Sequence, residues 1–160
     1  MDMMDELADA IIRYTDAQDG NGPFATAIEG FGILRSDQDR QLSHLMFRHS
    51  LLCMVVRGAK HSTFGAERYD YPAGRSLVVS VDTPGSSVAT AEGPGRPFLG
   101  LVIGLDPAIL RDVLEQLPAP PASDGNALHG IFVEACDGAL ADCALRAMRL
   151  LDTPEAIPML

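Results

Sequence analysis

Short runs of apolar and β-branched residues alternate with turns between residues 51 and 105, and this pattern constrains the fold more than any other feature. Gly58 and Gly65 stand between consecutive runs that are about two residues apart, which is the spacing of β-hairpins. Further turn signals follow at residues 72–74, 82–85 and 93–97. No helical pattern intervenes, so the sequence predicts antiparallel strands in a sandwich, a jelly roll or a barrel.

Strands and helices account for most of the chain. Strands are predicted near residues 27–35, 43–49, 51–58, 60–64, 67–71, 76–81, 86–91 and 97–105. Helices are predicted at residues 3–13, 107–117 and 137–151, where apolar residues recur at helical spacing. Asp106 and Pro107 supply an N-cap and a first helical residue for the second helix. The sequence therefore predicts a mainly β fold with flanking helices, a cupin-like antiparallel barrel or jelly roll plus C-terminal helices.

The length of 160 residues fits a single domain, residues 1–160, that can bury a core without disulfides. Residues 14–105 are expected to form the β-barrel, and residues 106–151 a helical part. Residues 16–23 and 118–126 are rich in turn formers and predict loops. Residues 152–160 look like the start of a further helix, which we interpret as the beginning of a linker.

The net charge of −10 argues against a direct grip on nucleic acid, because phosphate contacts need clustered Lys and Arg. No apolar run approaches the roughly 20 residues that a membrane helix needs. The N-terminus is acidic and amphipathic, whereas an export signal has a basic start and a continuous apolar stretch. We therefore expect a cytoplasmic protein with no membrane partner.

The histidines do not follow the ligand pattern of a metal-binding cupin. Such a site needs two neighbouring His, a Glu shortly after them and a third His on a later strand. Here His61 precedes Glu67 without a second His, and residues 82–86 contain none. His44 and His49 have an odd separation, which places them on opposite faces of a strand. Since a nucleophile elbow is also missing, we predict no metal, no cofactor, no catalytic residue and no enzyme activity.

Five segments, in their order and spacing, resemble the N-terminal domain of AraC-type transcriptional regulators. They are ILRSD at 33–37, VVRGAKHSTFG at 55–65, YDYPAGRSLVVSVDTP at 69–84, LVIGLDP at 101–107 and RLLDTPEAIP at 149–158. The resemblance implies a cupin-like barrel that senses a small-molecule effector and controls dimerisation. It also implies a linker helix leading to two helix-turn-helix motifs. The chain lacks those motifs, so DNA would be bound only through the missing C-terminal domain.

The effector that this resemblance implies is expected to bind inside the barrel. The candidate lining residues occupy positions expected to face inward on central strands: Phe31, His49, Cys53, Val55, Tyr71, Val79 and Phe98. A polar group such as His49 or Tyr71 would orient the effector, while apolar walls would provide affinity. By the same resemblance, the two C-terminal helices would form a homodimer contact through Leu110, Leu114, Leu140, Ala144, Ala147 and Leu151.

Glycines recur on one face of two predicted strands. Gly30 and Gly32 alternate with apolar residues on the first, and Gly100 and Gly104 do so on the last. A glycine face leaves room for a ligand, or it lets a second element pack closely. The sequence leaves both interpretations open.

Two further functions also stay open. A small cupin enzyme, an isomerase or a dioxygenase, would have to draw on His49, His61 and Glu67. A ligand-free dimerisation module would instead fill its barrel with side chains. A bound organic molecule, a bound metal or an empty interior would distinguish these functions from an effector-binding domain.

Overall fold

A computed structural model describes residues 2–47, 50–118 and 130–159 of the chain. Three α-helices lie in this part of the chain: α1 Met3–Asp16, α2 Pro107–Glu115 and α3 Gly138–Leu150. A 3-10 helix, Pro154–Met159, follows α3. The strands are β1 Gly22–Ala25, β2 Phe31–Ser36, β3 Arg40–Phe47, β4 Ser50–Arg57, β5 Ala59–Phe64, β6 Glu67–Pro72, β7 Arg75–Val79, β8 Thr83–Thr90, β9 Phe98–Leu105 and β10 Ile131–Ala135.

The strands form two antiparallel sheets. The larger sheet has six strands in the order β1-β2-β9-β4-β7-β10, and the smaller has four in the order β3-β8-β5-β6. Buried apolar residues from both sheets pack together between them, so the sheets face each other as a sandwich. The predicted mainly antiparallel β fold with flanking helices is confirmed. One correction is needed: within the described residues no strand pairing joins the two sheets, so they do not close into a barrel.

The strand predictions agree best where hairpins set the register. Strands β4 to β7 and β9 each begin and end within two residues of the predicted bounds. The segment predicted as one strand at 27–35 instead turns at residues 28–30 before β2 begins. Strands β1 and β10 were not predicted, since both are short and pair at the edges of the larger sheet. The predicted loop at 118–126 lies outside the described residues, apart from Pro118.

Tight turns at glycine connect β4 to β7. Gly58 has a φ of +86° and Gly65 a φ of +62°, in the left-handed region that favours glycine. A Cβ at Gly58 would lie 2.4 Å from the backbone oxygen of Thr90, whereas a Cβ at Gly65 would meet no atom within 4 Å. Glycine is therefore favoured at both positions because φ is positive, and at Gly58 also because a Cβ would overlap with the backbone of Thr90.

Helices α1 and α3 cover the outer face of the six-stranded sheet. Asp2 caps α1 by accepting a hydrogen bond from the backbone N–H of Asp5, and Asp5 reciprocates. Leu7 and Ile11 of α1 are fully buried against α3 and the sheet. Arg149 of α3 lies 3.4 Å from Glu6 of α1 and ties the two helices at the surface. The larger sheet thus separates two apolar cores, one beneath the helices and one inside the sandwich.

Helix α2 differs from the other two because none of its residues is buried. Asp106 caps it, accepting a hydrogen bond of 2.8 Å from the backbone N–H of Ala108, as the sequence predicted. Its apolar side chains are exposed to solvent: Ile109, Leu110 and Val113, with Leu114 and, just beyond the helix, Leu117. Of the helices in the described residues, none is long and apolar enough to cross a bilayer.

Candidate functional site

An open groove of about 1330 Å³ lies at one end of the six-stranded sheet. Its floor is formed by the neighbouring ends of β2, β4 and β9, where Gly32, Leu51 and Val102 line it. The segment that connects β1 to β2, residues 25–30, forms one wall. Helix α2 contributes Ile109 and Leu110, and the C-terminal 3-10 helix contributes Ile157. Segments from both ends of the sequence therefore meet around one largely apolar opening.

The glycines predicted to leave space do so at the groove but not further along β9. Gly104 donates a backbone hydrogen bond of 2.7 Å to the carbonyl of Gly30, and both residues line the groove. A Cβ at Gly100 would instead lie 3.1 Å from the ring of Phe98 and 3.2 Å from the backbone oxygen of Met54. Both interpretations therefore apply: Gly30 and Gly104 border open space, and Gly100 allows close packing.

The interior of the sandwich brings together most of the residues predicted to line a pocket. Cys53, Val55, Val79 and Phe98 are buried on the inner face of the larger sheet. Tyr71 is buried opposite them on the smaller sheet. These five side chains belong to one cluster, as their predicted inward orientation requires.

Two other predicted lining residues do not join that cluster. Phe31 packs on the opposite face of the larger sheet, in the core beneath α1 and α3, and it also borders the groove. Phe31 and Ile33 of β2 face the helices, whereas Leu34 faces the interior of the sandwich, so Phe31 has the opposite orientation to the one predicted. His49 lies outside the described residues, so its place in a pocket stays a prediction.

The inner face of the smaller sheet carries buried polar side chains beside apolar ones, and the sequence analysis did not predict those of Lys60 and Ser62. Lys60 and Ser62 alternate with outward-facing residues of β5 and are both buried. The hydroxyl of Ser62 lies 2.8 Å from the hydroxyl of Tyr71 and 2.7 Å from that of Ser87. Burial raises the pKa of Tyr71, so this side chain stays neutral and can act as donor or acceptor. Lys60 and Ser62 are an even number of residues away from Phe64 on the same strand, so all three side chains face the same side of the sheet. This alternation could have predicted their burial.

The Tyr71 hydroxyl is expected to stabilise the folded chain. In Tyr71→Phe, Ser62 keeps Ser87 as a partner, so the free energy of unfolding should fall by about 1 kcal/mol. Urea denaturation measures this change. Tyr69→Phe is the matched control, because Tyr69 is half-buried beside the ring of Phe64 and no hydrogen bond from its hydroxyl is seen within the described residues. An equal loss in both variants would show that the hydroxyl network contributes nothing.

A comparison with protein families matches residues 27–160 to the family described as AraC-type transcriptional regulator N-terminus. The match covers most of the chain. This protein belongs to that family. The resemblance read from the five sequence segments is thereby confirmed.

Solved structures of ToxT from Vibrio cholerae share the fold of this AraC-type domain. Apo ToxT carrying one substitution aligns with a TM-score of 0.57 at 7% identity, covering 79% of this chain and 49% of that one. ToxT bound to an unsaturated fatty acid aligns with a TM-score of 0.55 at 7% identity, covering 85% and 49%. The chain thus spans about half the length of the ToxT chains that it matches. Among curated proteins, the search finds no match to this sequence.

The residues predicted to form a dimer contact are divided between two environments in this AraC-type domain. On α3, Ala144 is buried, and Leu140, Ala147 and Leu151 pack with it in the core beneath α1 and α3. On α2, Leu110 and Leu114 are exposed. Of the six predicted residues, Leu110 and Leu114 are thus the exposed ones, whereas Leu140, Ala147 and Leu151 are partly buried and Ala144 is buried.

The other titratable side chains that the structure describes form no metal-binding cluster. Across the described residues, no three side chains of His, Cys, Asp or Glu are grouped closely enough to hold a metal ion. His61 lies near the surface, 3.4 Å from Arg68, which in turn forms an ion pair of 2.9 Å with Asp70. Glu67 is exposed at the start of β6. In the part of the chain that the structure describes, the hydroxyls of Ser62, Tyr71 and Ser87 do converge inside the sandwich.

Proposed function

We propose that this chain is the effector-binding and dimerisation domain of an AraC-type transcription regulator. In this proposal a small molecule binds in the groove and between the sheets, and it controls a DNA-binding domain that lies outside this chain. The observation that carries the proposal is the groove itself, a concave and mainly apolar opening next to a polar, hydrogen-bonded interior. Apolar walls with a few placed polar groups are typical of small-molecule sites.

The family and the fold both support a regulator rather than an enzyme. The matching family describes a transcriptional regulator domain, and we assign no catalytic residue. Solved ToxT structures contain an unsaturated fatty acid in one case and (E)-4-(8-methylnaphthalen-1-yl)but-3-enoic acid in another. Both are small molecules with a large apolar part. They support an apolar effector for this chain as a proposal, since the identity to ToxT is low.

Dimerisation is proposed through α2 alone. Ile109, Val113, Leu114 and Leu117 form an exposed apolar strip on and just after this helix. Such a strip is typical of an interface with another copy or with a covering segment. Since the chain carries a net charge of −10, contact with DNA is proposed only for the domain outside it.

The groove also explains how binding would change the regulator. Its walls include α2, which would contact the second copy, and Ile157, which lies in the last element of the described chain. A ligand shifts an equilibrium only by its difference in affinity for the two states. A molecule that contacts α2 and Ile157 together would favour the arrangement in which both lie against it.

Native mass spectrometry of the purified chain tests this function. We expect a dimer that carries an organic molecule, and we expect Ala27→Trp to lose most of that added mass. Ala27 is exposed and lines the groove, so an indole there fills the opening without disturbing a core. Ala66→Trp is the control, because Ala66 is also exposed but lies in the β5–β6 turn.

The outcomes separate the proposed function from its alternatives. An added mass that survives Ala27→Trp would show that the effector does not bind in the groove. A dimer without added mass, which also fails to bind apolar acids or alcohols, would favour a ligand-free dimerisation module. An added mass equal to a metal ion would favour a cupin enzyme.

A further inference from the structure

One valine lies between the groove and a second, much smaller cavity inside the sandwich. The groove has a volume of about 1330 Å³ and the inner cavity one of about 10 Å³. Val102 of β9 lines both of them, and among the residues that the structure describes no other does. The two spaces therefore meet at this side chain.

Val102 faces the interior of the sandwich because of its position along β9. Phe98 of the same strand is buried between the sheets, and residues an even number apart on a strand face the same side. Gly100, Val102 and Gly104 therefore share the inner face with Phe98. The partly buried side chain of Val102 packs against the core between the sheets, as this orientation requires.

Most positions around Val102 on this face carry no side chain. Gly32 of β2 and Cys53 of β4 pair directly with Val102 on its two sides. Gly100 and Gly104 flank it along β9. A Cβ at Gly32 would lie 4.0 Å from the Cβ of Val102. On this sheet, the two methyl groups of Val102 are therefore the main obstacle between the floor of the groove and the inner cavity.

The inner cavity has little free space of its own. Phe98 and Gly100 line it, and a Cβ at Gly100 would lie 3.1 Å from the ring of Phe98, so the ring covers this glycine. The volume of about 10 Å³ holds roughly one water molecule. An apolar chain that enters from the groove therefore stops at Val102.

We propose that Val102 determines how far an effector extends from the groove into the sandwich, and that it thereby selects effectors by the length of their apolar end. This inference rests on the proposed function and specifies the selectivity of the same site. Neighbouring strands lie about 4.8 Å apart, so the path over the glycines of β2 and β9 has room for a single unbranched chain. The effector class is therefore a molecule with a slim, unbranched apolar end of limited length.

Calorimetry with straight-chain alcohols from butanol to dodecanol tests the length limit with uncharged probes. For the wild-type chain, the affinity should rise about fourfold with each methylene until the chain end reaches Val102, and then level off. Val102→Ala removes the two methyl groups and joins the cavities, so the rise should continue for at least one further carbon. The longest alcohol that still gains affinity should then bind this variant at least about fourfold more tightly than the wild type. Val102→Ile adds a methylene and should make the affinity level off at a shorter chain.

Val133→Ala is the matched control. Val133 of β10 packs in the same core between the sheets, but it lines neither the groove nor the inner cavity. Its truncation removes the same two methyl groups from the same interior, so the chain length at which affinity levels off should stay as in the wild type. An equal shift in both variants would show that a loosened core, and not the position of Val102, sets the limit.

Nuclear Overhauser contacts locate the end of the bound alcohol without relying on affinity. In the wild type, the terminal methyl group of bound decanol should contact the methyl groups of Val102 and not the ring of Phe98. In Val102→Ala, the same methyl group should contact the Phe98 ring.

Three results would overturn the inference and leave the proposed function in place. They are an affinity that rises through dodecanol in the wild type, an unchanged length limit in folded Val102→Ala, and a decanol methyl group that already contacts Phe98 in the wild type. If the wild type binds no alcohol and carries no organic mass, the effector-binding function itself fails, and the inference fails with it.

Discussion

Gly58→Ala should lower the free energy of unfolding by about 3 kcal/mol or more, which is enough to unfold a marginally stable domain. Two costs add at this position. The φ of +86° is unfavourable for any residue with a Cβ, and the new Cβ would lie 2.4 Å from the backbone oxygen of Thr90. That oxygen belongs to β8, so relief of the overlap would have to separate paired strands. Urea denaturation followed by circular dichroism measures the loss.

Gly65→Ala separates the two costs. Gly65 also has a positive φ, of +62°, but a Cβ there meets no atom within 4 Å. The expected loss is therefore only about 1 kcal/mol. If both variants lost the same stability, the overlap with Thr90 would not be the dominant cost at Gly58.

Leu7→Ala is expected to lower the free energy of unfolding by about 3 kcal/mol, because it leaves a cavity beneath α1. Leu7 is fully buried between α1, α3 and the outer face of the six-stranded sheet. The chemical denaturation midpoint should fall, while the ligand affinity of the folded chain should stay the same. That combination would establish that α1 supports the sheet without forming the site.

Met3→Ala on the same helix provides the reference. Met3 is 37% exposed, so its truncation should change the free energy of unfolding by less than about 0.5 kcal/mol. A large loss from Met3→Ala would indicate that α1 contributes through helix propensity or capping rather than through its buried face.

The sequence predicted the fold well wherever local signals decide structure. Turn glycines and alternating apolar residues located β4 to β7 and β9, and capping residues located α2. Strand β10 was missed because its partner β7 is distant in sequence, across the excursion that contains α2. Strand β1 was missed because it has only 4 residues, although it pairs with the next strand along the chain, β2. The two sheets close into a barrel only if their edge strands pair with each other. No local sequence pattern indicates whether that pairing occurs.

The sequence predicted the inward orientation of apolar residues and of Tyr71, but not that of Lys60 and Ser62. Cys53, Val55 and Phe98 face inward because parity along a strand is preserved once one buried residue is known. Lys60 was passed over because a charged residue in a strand is usually exposed, so its parity was not taken as evidence of burial. The apolar stripe of α3 that includes Ala144 was assigned to a dimer because of the family resemblance, although such a stripe fits the chain's own core equally well.

The segment before β2 and Ile157 both line the groove, so its walls come from parts of the chain that are far apart in sequence. A molecule bound there would act as a non-covalent crosslink across most of the polypeptide. Crosslinks that close long loops oppose local opening of the segments they join, and the stabilisation rises with ligand concentration relative to its dissociation constant. Local opening of the 3-10 helix, whose Ile157 lines the groove, would then be the motion that a bound molecule opposes.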